Sequence, residues 1–296
     1  MKILLISLLL LFGPMPARAQ ARATPAPDPN LFYQEVAREV GRSTRRRDGV
    51  VLWIDRVSGE RQVFGDPALL ERKFLPGSTM KLVTAELALR SSRSWSYHCS
   101  GRDRIGGKLR HCWIRQGHGE LDLAQALGQS CNLFFSWLGT QLGYRNLREA
   151  MAAEGFSGAA ALPDTDPRVS AAADLAIGDL PEFSVSPAEL ANFWLRYLDR
   201  LSQPEFAPIR QGLRRAVREG TAKRVGKLDL EILGKTGTGD ALSSEYPTNG
   251  WFLGAYPTER PRWALVVFLK EAHGFEEAAG LAGKVFGLAK KFSIIP

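Results

Sequence analysis

The apolar positions of this chain change period along its length. Residues 31–40 recur at helical spacing, and Arg45, Arg46, Arg47, Asp48 and Gly49 end them in a charged turn, read as a solvated surface. Residues 50–54 are apolar and β-branched. A turn at Val57-Ser58-Gly59 and a second short run at 62–64 predict a β-hairpin. The breaker pair Pro76-Gly77 precedes Ser78, from which helical spacing runs through Lys81, Leu82, Ala85, Leu87 and Leu89. Helices are expected at 121–127, 132–142, 187–201 and 206–217, whereas 158–169 is rich in Ala, Pro and Asp and reads as a loop. In the last quarter the period shortens. Runs at 230–233, 250–256 and 263–269 are strand-like, and 276–292 returns to a helical pattern with Leu281, Val285, Leu288 and Phe292 on one side.

This order is a hairpin, a block of helices, three strands and a closing helix. Short connections between the late strands suit an antiparallel sheet. A helical block inserted between parts of one sheet implies two lobes with a cleft between them. The expected fold class is therefore α/β of the α+β type: an antiparallel sheet flanked by helices, an all-helical lobe, and the site between the two.

The N-terminus bears on compartment. Lys2 is followed by an apolar run at 3–12, broken by Pro14 and Pro16, and Ala17-Arg18-Ala19 has the small-x-small form of a cleavage site. The run is about half the roughly 20 residues a membrane span needs. The division expected is a signal peptide at 1–19, a proline-rich flexible lead at 20–30 and a single domain over 31–296; a retained anchor is the alternative. Cleavage would leave 277 residues and, by removing Lys2 and Arg18, lower the net charge from +8 to +6. Export turns this positive charge away from nucleic acid and towards the anionic cell envelope, outside the cytoplasm.

An exported chain permits a disulfide. Cys99 and Cys112 flank a Gly- and Arg-rich stretch with the look of a hairpin, and a Cys99–Cys112 bridge is expected, with Cys131 a reduced, inward-facing group. His98, His111 and His118 show no ligand spacing, so neither a metal nor any other cofactor is expected.

Three short segments carry chemistry. Ser78 and Lys81, three apart on a helix, share a face, and a serine hydroxyl needs such a base to act as a nucleophile. Ser130-Cys131-Asn132, taken alone, also reads as a helix N-cap. Lys235-Thr236-Gly237-Thr238 follows an apolar run and could equally be a polar strand end. As a nucleophile with its base, a serine–asparagine pair and a lysine on a small-residue strand, the three fit serine acyl transfer.

In this order the segments resemble the transpeptidase domain of penicillin-binding proteins, within the wider serine β-lactamase-like superfamily. The likeness extends to Phe74-Leu75-Pro76-Gly77 before Ser78, to His118-Gly119-Glu120-Leu121-Asp122-Leu123, to Ala176-Ile177-Gly178, to Gly220-Thr221-Ala222 and to Trp251-Phe252-Leu253-Gly254. It covers residues 49–292 and implies a stand-alone exported domain acting on the D-alanyl-D-alanine ends of peptidoglycan stem peptides. On that resemblance Ser78 is the nucleophile, Lys81 its base, Ser130 a proton donor assisted by Lys235, Asn132 a clamp on the acyl-side amide, and Thr236, Gly237 and Thr238 the binding strand. β-Lactams would acylate the same serine, and a cell-envelope protein partner is left open.

Two other readings compete. A β-lactamase needs a water activator, and 158–169 offers Asp164 and Asp166 but no glutamate. A catalytically weak scaffold or sensor is disfavoured by the full set Ser78, Lys81, Ser130, Asn132 and Lys235.

Overall fold

The computed structural model describes residues 28–241 and 248–296 of the 296, so the signal peptide expected at 1–19 and most of the lead expected at 20–30 lie outside the described residues. The described chain begins with α1 (Pro29–Ser43), capped by the Asp28 carboxylate, which accepts from Leu31 N at 3.1 Å. The hairpin follows as β1 (Gly49–Asp55) and β2 (Arg61–Gly65). After a 3₁₀ turn at Gly77–Met80 come α2 (Lys81–Arg90), β3 (Ser96–Cys99), the small hairpin β4 (Arg102–Ile105) and β5 (Lys108–His111), and β6 (Gly119–Asp122), which pairs with β3. The helical block is α3 (Leu123–Gly128), α4 (Asn132–Leu142), α5 (Tyr144–Ala153), α6 (Ser157–Ala161), α7 (Ala171–Ile177), α8 (Pro187–Leu201), α9 (Ala207–Arg218) and α10 (Lys223–Gly226). β7 (Leu233–Asp240), β8 (Thr248–Tyr256), β9 (Trp263–Leu269) and α11 (Ala279–Lys291) complete the described chain.

The terminal hairpin and the late strands form one five-stranded antiparallel sheet in the order β2-β1-β9-β8-β7. β1 and β9 are buried at every position, which is why their sequences are continuous apolar runs rather than alternating ones. Alternate side chains serve two cores. Val51, Trp53, Leu265 and Val267 pack with Phe32, Val36, Val285 and Phe286 of α1 and α11. Val50, Leu52, Ile54, Val266 and Phe268 join the core of the helical lobe. The fold is the expected antiparallel sheet flanked by helices.

α8 locks the lobe to the sheet. Ser186 and Glu189 form a reciprocal capping box and Pro187 opens the helix. Its buried Trp194 donates from Nε1 to Gly254 O of β8 (2.9 Å), and Tyr197 OH donates to Leu82 O of α2 (2.9 Å).

Several expected boundaries change. The loop expected at 158–169 begins inside α6, and α5 and α7 lie where no helix was expected. Leu121 belongs to β6, whose Asp122 then caps α3 in a box with Gln125. The strand expected at 230–233 starts only at Leu233 and runs through the Lys235 segment to Asp240. The closing helix is preceded by a π-helical turn at Gly274–Ala278. Among the described residues no helix is long and apolar enough to cross a membrane.

Candidate active site

Ser78 stands half-buried in the 3₁₀ turn, one turn ahead of α2 rather than inside it, and Lys81 is the first residue of that helix. At the start of a helical segment the Ser78 N–H lacks an intrahelical acceptor and is free to face an oxyanion. The turn is clamped between two backbones. Gly77 has φ 52°, and a Cβ on it would lie 2.1 Å from Thr238 O; Gly77 N donates to Gly178 O at 3.2 Å. Glycine is required at 77 by both conformation and space. Behind the turn, Trp251 Nε1 donates to Leu75 O (3.0 Å), and Phe74 pairs with Val185 in an isolated bridge.

Ser130 and Asn132 sit at the corner between α3 and α4. Ser130 has φ 50°, a left-handed conformation that costs a non-glycine residue about 1–3 kcal/mol. Its neighbour Cys131 is the N-cap of α4, with Sγ accepting from Phe134 N at 3.5 Å. The strained corner turns the Ser130 hydroxyl towards two lysines. Lys235 Nζ donates to Ser130 Oγ at 2.8 Å, and Lys81 Nζ lies 3.4 Å from the same oxygen. Lys81 also donates to Ser130 O (2.8 Å) and Asn132 Oδ1 (2.6 Å). An ammonium has three donors and no acceptor, and these three partners occupy them. That is the reason the expected Ser78–Lys81 hydrogen bond is not among the bonds of the described residues.

Both lysines are fully buried. Burial, which penalises the charged form, pushes Lys81 down to about 8. It holds Lys235 well below the usual lysine range, with the charge of Lys81 adding to the shift. Lys235 extends from β7 and also donates to Thr236 O (2.8 Å). Thr236, on the opposite side of the strand by alternation, donates to Thr221 Oγ1 (2.7 Å), and Thr238 Oγ1 accepts from Gly274 N (3.0 Å). A Cβ on Gly237 would lie 2.6 Å from Thr79 Cγ2, so the strand passes hard against the nucleophile turn. The three segments thus meet in one place, between the helical lobe and β7.

Two further residues join them. Thr221, which the sequence marks only as part of a flanking stretch, reaches Thr236. Asp179, next after the Ala176-Ile177-Gly178 stretch, is solvent-exposed yet near enough to feel the charge of Lys81. Neither has a spacing signal of its own; both follow glycines that the chain needs for close approach.

The cysteines depart from expectation. No Cys99–Cys112 bridge is formed: Cys99, Cys112 and Cys131 are free and buried. Cys112 Sγ lies 3.8 Å from Cys131 Sγ, and His118 Nδ1 stands 3.5 Å from Cys99 Sγ and 3.4 Å from Cys112 Sγ. The histidine spacing gave no sign of this convergence, which only the fold produces.

The model of the penicillin binding protein transpeptidase domain matches residues 55–287. A curated relative, stage V sporulation protein D of Bacillus subtilis (strain 168), is 30% identical over 101 residues, 31% of this chain and 16% of that protein. The chain therefore spans about a sixth of that relative. Among solved structures, the transpeptidase domain of Burkholderia pseudomallei penicillin-binding protein 3 superposes with a TM-score of 0.74 at 18% identity, covering 90% of this chain and 94% of that one. PBP2 of Helicobacter pylori, in a complex with MreC, gives 0.73 at 16% identity over 88% of this chain and 63% of that chain. Pseudomonas aeruginosa PBP2 gives 0.72 at 18% identity over 87% and 74%. With the family model spanning most of its length, and with the same three segments gathered at one cleft, the chain belongs to the penicillin-binding protein transpeptidase domain family.

Proposed function

We propose that this protein is a serine acyltransferase acting on D-alanyl-D-alanine ends of peptidoglycan stem peptides, outside the cytoplasm, after export by the segment at 1–19. The observation that carries the reading is the hydroxyl of Ser130 held by two buried lysines, one of which begins the helix after Ser78. Ser78 Oγ attacks the carbonyl between the two D-alanines, and its proton passes to neutral Lys81. Loss of a proton from Lys81 leaves one of its three hydrogen bonds unmade and a lone pair free, so the 3.4 Å contact to Ser130 Oγ is the one to yield. The N–H groups of Ser78 and Thr238 receive the developing oxyanion. Ser130, recharged by Lys235, gives a proton to the departing D-alanine amine. Asn132 holds the acyl-side amide, and Lys235, Thr236, Gly237 and Thr238, joined by Thr221, form the wall for the terminal carboxylate. β-Lactams acylate Ser78 by the same route.

The acceptor that releases the ester is either an amine of a neighbouring stem (transpeptidation) or water (carboxypeptidation). A protein partner is also proposed, since the Helicobacter PBP2 forms a complex with MreC.

Incubation with a pentapeptide stem, with and without an amine acceptor, should release D-alanine and give a tetrapeptide or a cross-linked product by mass. Benzylpenicillin should leave an adduct on Ser78 that persists for an hour, and Ser78→Ala should remove it completely. Rapid conversion to penicilloate would identify a β-lactamase; neither adduct nor turnover in folded protein would identify a scaffold.

A further inference from the structure

The Gly- and Arg-rich stretch has no part in the acyl-transfer chemistry. From 102 to 115 it carries Arg102, Arg104, Lys108, Arg110 and Arg115 against a single acid, Asp103. β4 and β5 are joined by Gly106 and Gly107, with φ 59° and 76°. Two left-handed residues make a tight hairpin turn, and that turn fixes the register. Arg102 lies opposite His111 and Arg104 opposite Leu109, whereas Asp103 lies opposite Arg110 and Ile105 opposite Lys108. Residues directly opposite share a face, so the hairpin has two faces of different kinds.

The inner face is seated on the helical lobe. Ile105 is buried. Arg110 Nη2 and Lys108 Nζ meet the Asp174 carboxylate of α7 at 2.7 and 3.2 Å, and Arg110 Nε donates to Ile105 O at 3.1 Å. The turn abuts the chain ahead of α7, where a Cβ on Gly106 would lie 3.0 Å from Val169 O. The carboxylate of Asp103 accepts from Tyr97 OH (2.6 Å) and Arg104 N (2.7 Å), so the acid of the hairpin is engaged by donors of the protein itself.

The outer face is unpartnered. Arg102, Arg104, Leu109 and His111 are all exposed. The alternation continues past β5, with Cys112 buried and Trp113 exposed. Leu109 is 55% and Trp113 53% exposed, unusual for side chains of that size. Trp113 Nε1 donates to Gln129 O (2.9 Å), which fixes the ring at the rim of the lobe. Arg115 is exposed, and its backbone lies against Gly101 at the base of the hairpin. Among the described residues Arg102, Arg104 and Arg115 form no ion pair, in contrast to Lys108 and Arg110 behind them.

We propose that the outer face of the β4–β5 hairpin docks on an anionic lipid bilayer, with Arg102, Arg104 and Arg115 on headgroup phosphates and Leu109 and Trp113 at the boundary of the acyl chains. The guanidinium fork matches phosphate oxygens, and indole rings favour the headgroup level. A soluble acidic ligand would meet the arginines but leave Leu109 and Trp113 in water; a bilayer surface supplies both the anions and the apolar layer beneath them. The net charge of +8 adds attraction of the same sign. No residue of the cleft is used, so the proposal stands or falls apart from the acyl-transfer reading.

The test uses the full protein as recovered after export, sedimented with vesicles of phosphatidylglycerol and phosphatidylcholine in equal parts or of phosphatidylcholine alone. Binding should be at least tenfold tighter to the anionic vesicles and should be lost in high salt. Each arginine removed should weaken it about fivefold, so Arg102→Gln with Arg104→Gln should lose at least tenfold. Both side chains are exposed, and an unchanged melting temperature checks that this variant is folded. Arg102→Lys with Arg104→Lys keeps the charge and should retain most of the binding. Tryptophan emission should shift to the blue on anionic vesicles, and Trp113→Phe should remove that shift. Equal binding to the two vesicles, no binding to either, or full-strength binding by the glutamine pair would overturn the proposal. So would retention on peptidoglycan sacculi without vesicle binding, which would give the face to the carboxylates of the polymer.

Discussion

The two walls of the cleft are held by different forces. On one side β7 carries Lys235 to Thr238 in a ladder with β8, Lys235 opposite Leu253 and Thr238 opposite Gly250. Its register is set by backbone hydrogen bonds and by a sheet buried on both faces, and a slip by one residue would turn Lys235 away from the cleft. On the other side the Ser130 corner has no ladder. It rests on side chains, namely Lys81 on Ser130 and Asn132, Lys235 on Ser130 and the cysteine–histidine cluster beneath, and it carries left-handed strain at Ser130. A strand gives precise placement without local strain, whereas the corner gives a hydroxyl shared by two lysines at the cost of needing many partners. The nucleophile turn is wedged between them.

This contrast can be broken from the corner first. Lys81→Ala removes the proposed base and three hydrogen bonds of the corner at once, and acylation by benzylpenicillin should fall by about 10²–10⁴. Stopped-flow acylation rates check this; a loss below tenfold would assign the base elsewhere. The wedge is next. Gly77→Ala forces a side chain into a left-handed backbone and against Thr238 O, which should cost about 3 kcal/mol. Denaturant unfolding measures the cost, and a change under 1 kcal/mol would mean that the turn and β7 are free to part.

Acidity sharpens the comparison without mutation. In the proposed mechanism only neutral Lys81 accepts the Ser78 proton, and burial lowers Lys81 to about 8. Acylation should therefore rise about tenfold per pH unit below that value and level above it. A flat profile from pH 6 to 9 would remove Lys81 as base. The smallest effect belongs to the sheet wall. Trp251→Phe deletes the bond to Leu75 O while keeping the aromatic packing against Phe74 and Phe268. It should cost about 1 kcal/mol in stability and little in acylation rate, read by thermal unfolding beside the kinetic assay.

How much was legible in the sequence differs between the same two walls. α4 and α8 begin and end where periodicity placed them, because their caps and apolar stripes are local signals. β9 likewise declares itself as an apolar run bounded by turns. β7 was placed too early, because its Lys-Thr-Gly-Thr-Gly stretch has weak strand character and becomes a strand only by pairing with β8. α5 and α7 were missed for a related reason: their short amphipathic faces are stabilised by the lobe they pack into rather than by propensity.

The sequence by itself determined the order of the main elements, the principal antiparallel sheet with an inserted helical block, and the identity of Ser78, Lys81, Ser130, Asn132 and Lys235 as one candidate set, since motif order and residue type are properties of the chain. Tertiary structure alone decided that Lys81 bonds Ser130 and Asn132 instead of Ser78, because the corner's carbonyl and amide oxygens arrive from about fifty residues away. It alone brought Thr221 to Thr236. It alone replaced an expected disulfide with a four-residue cluster whose spacings of 13, 6 and 13 residues fit no local ligand pattern. Donor atoms converge by the meeting of strand ends and a helix cap, and that meeting is written in packing rather than in spacing.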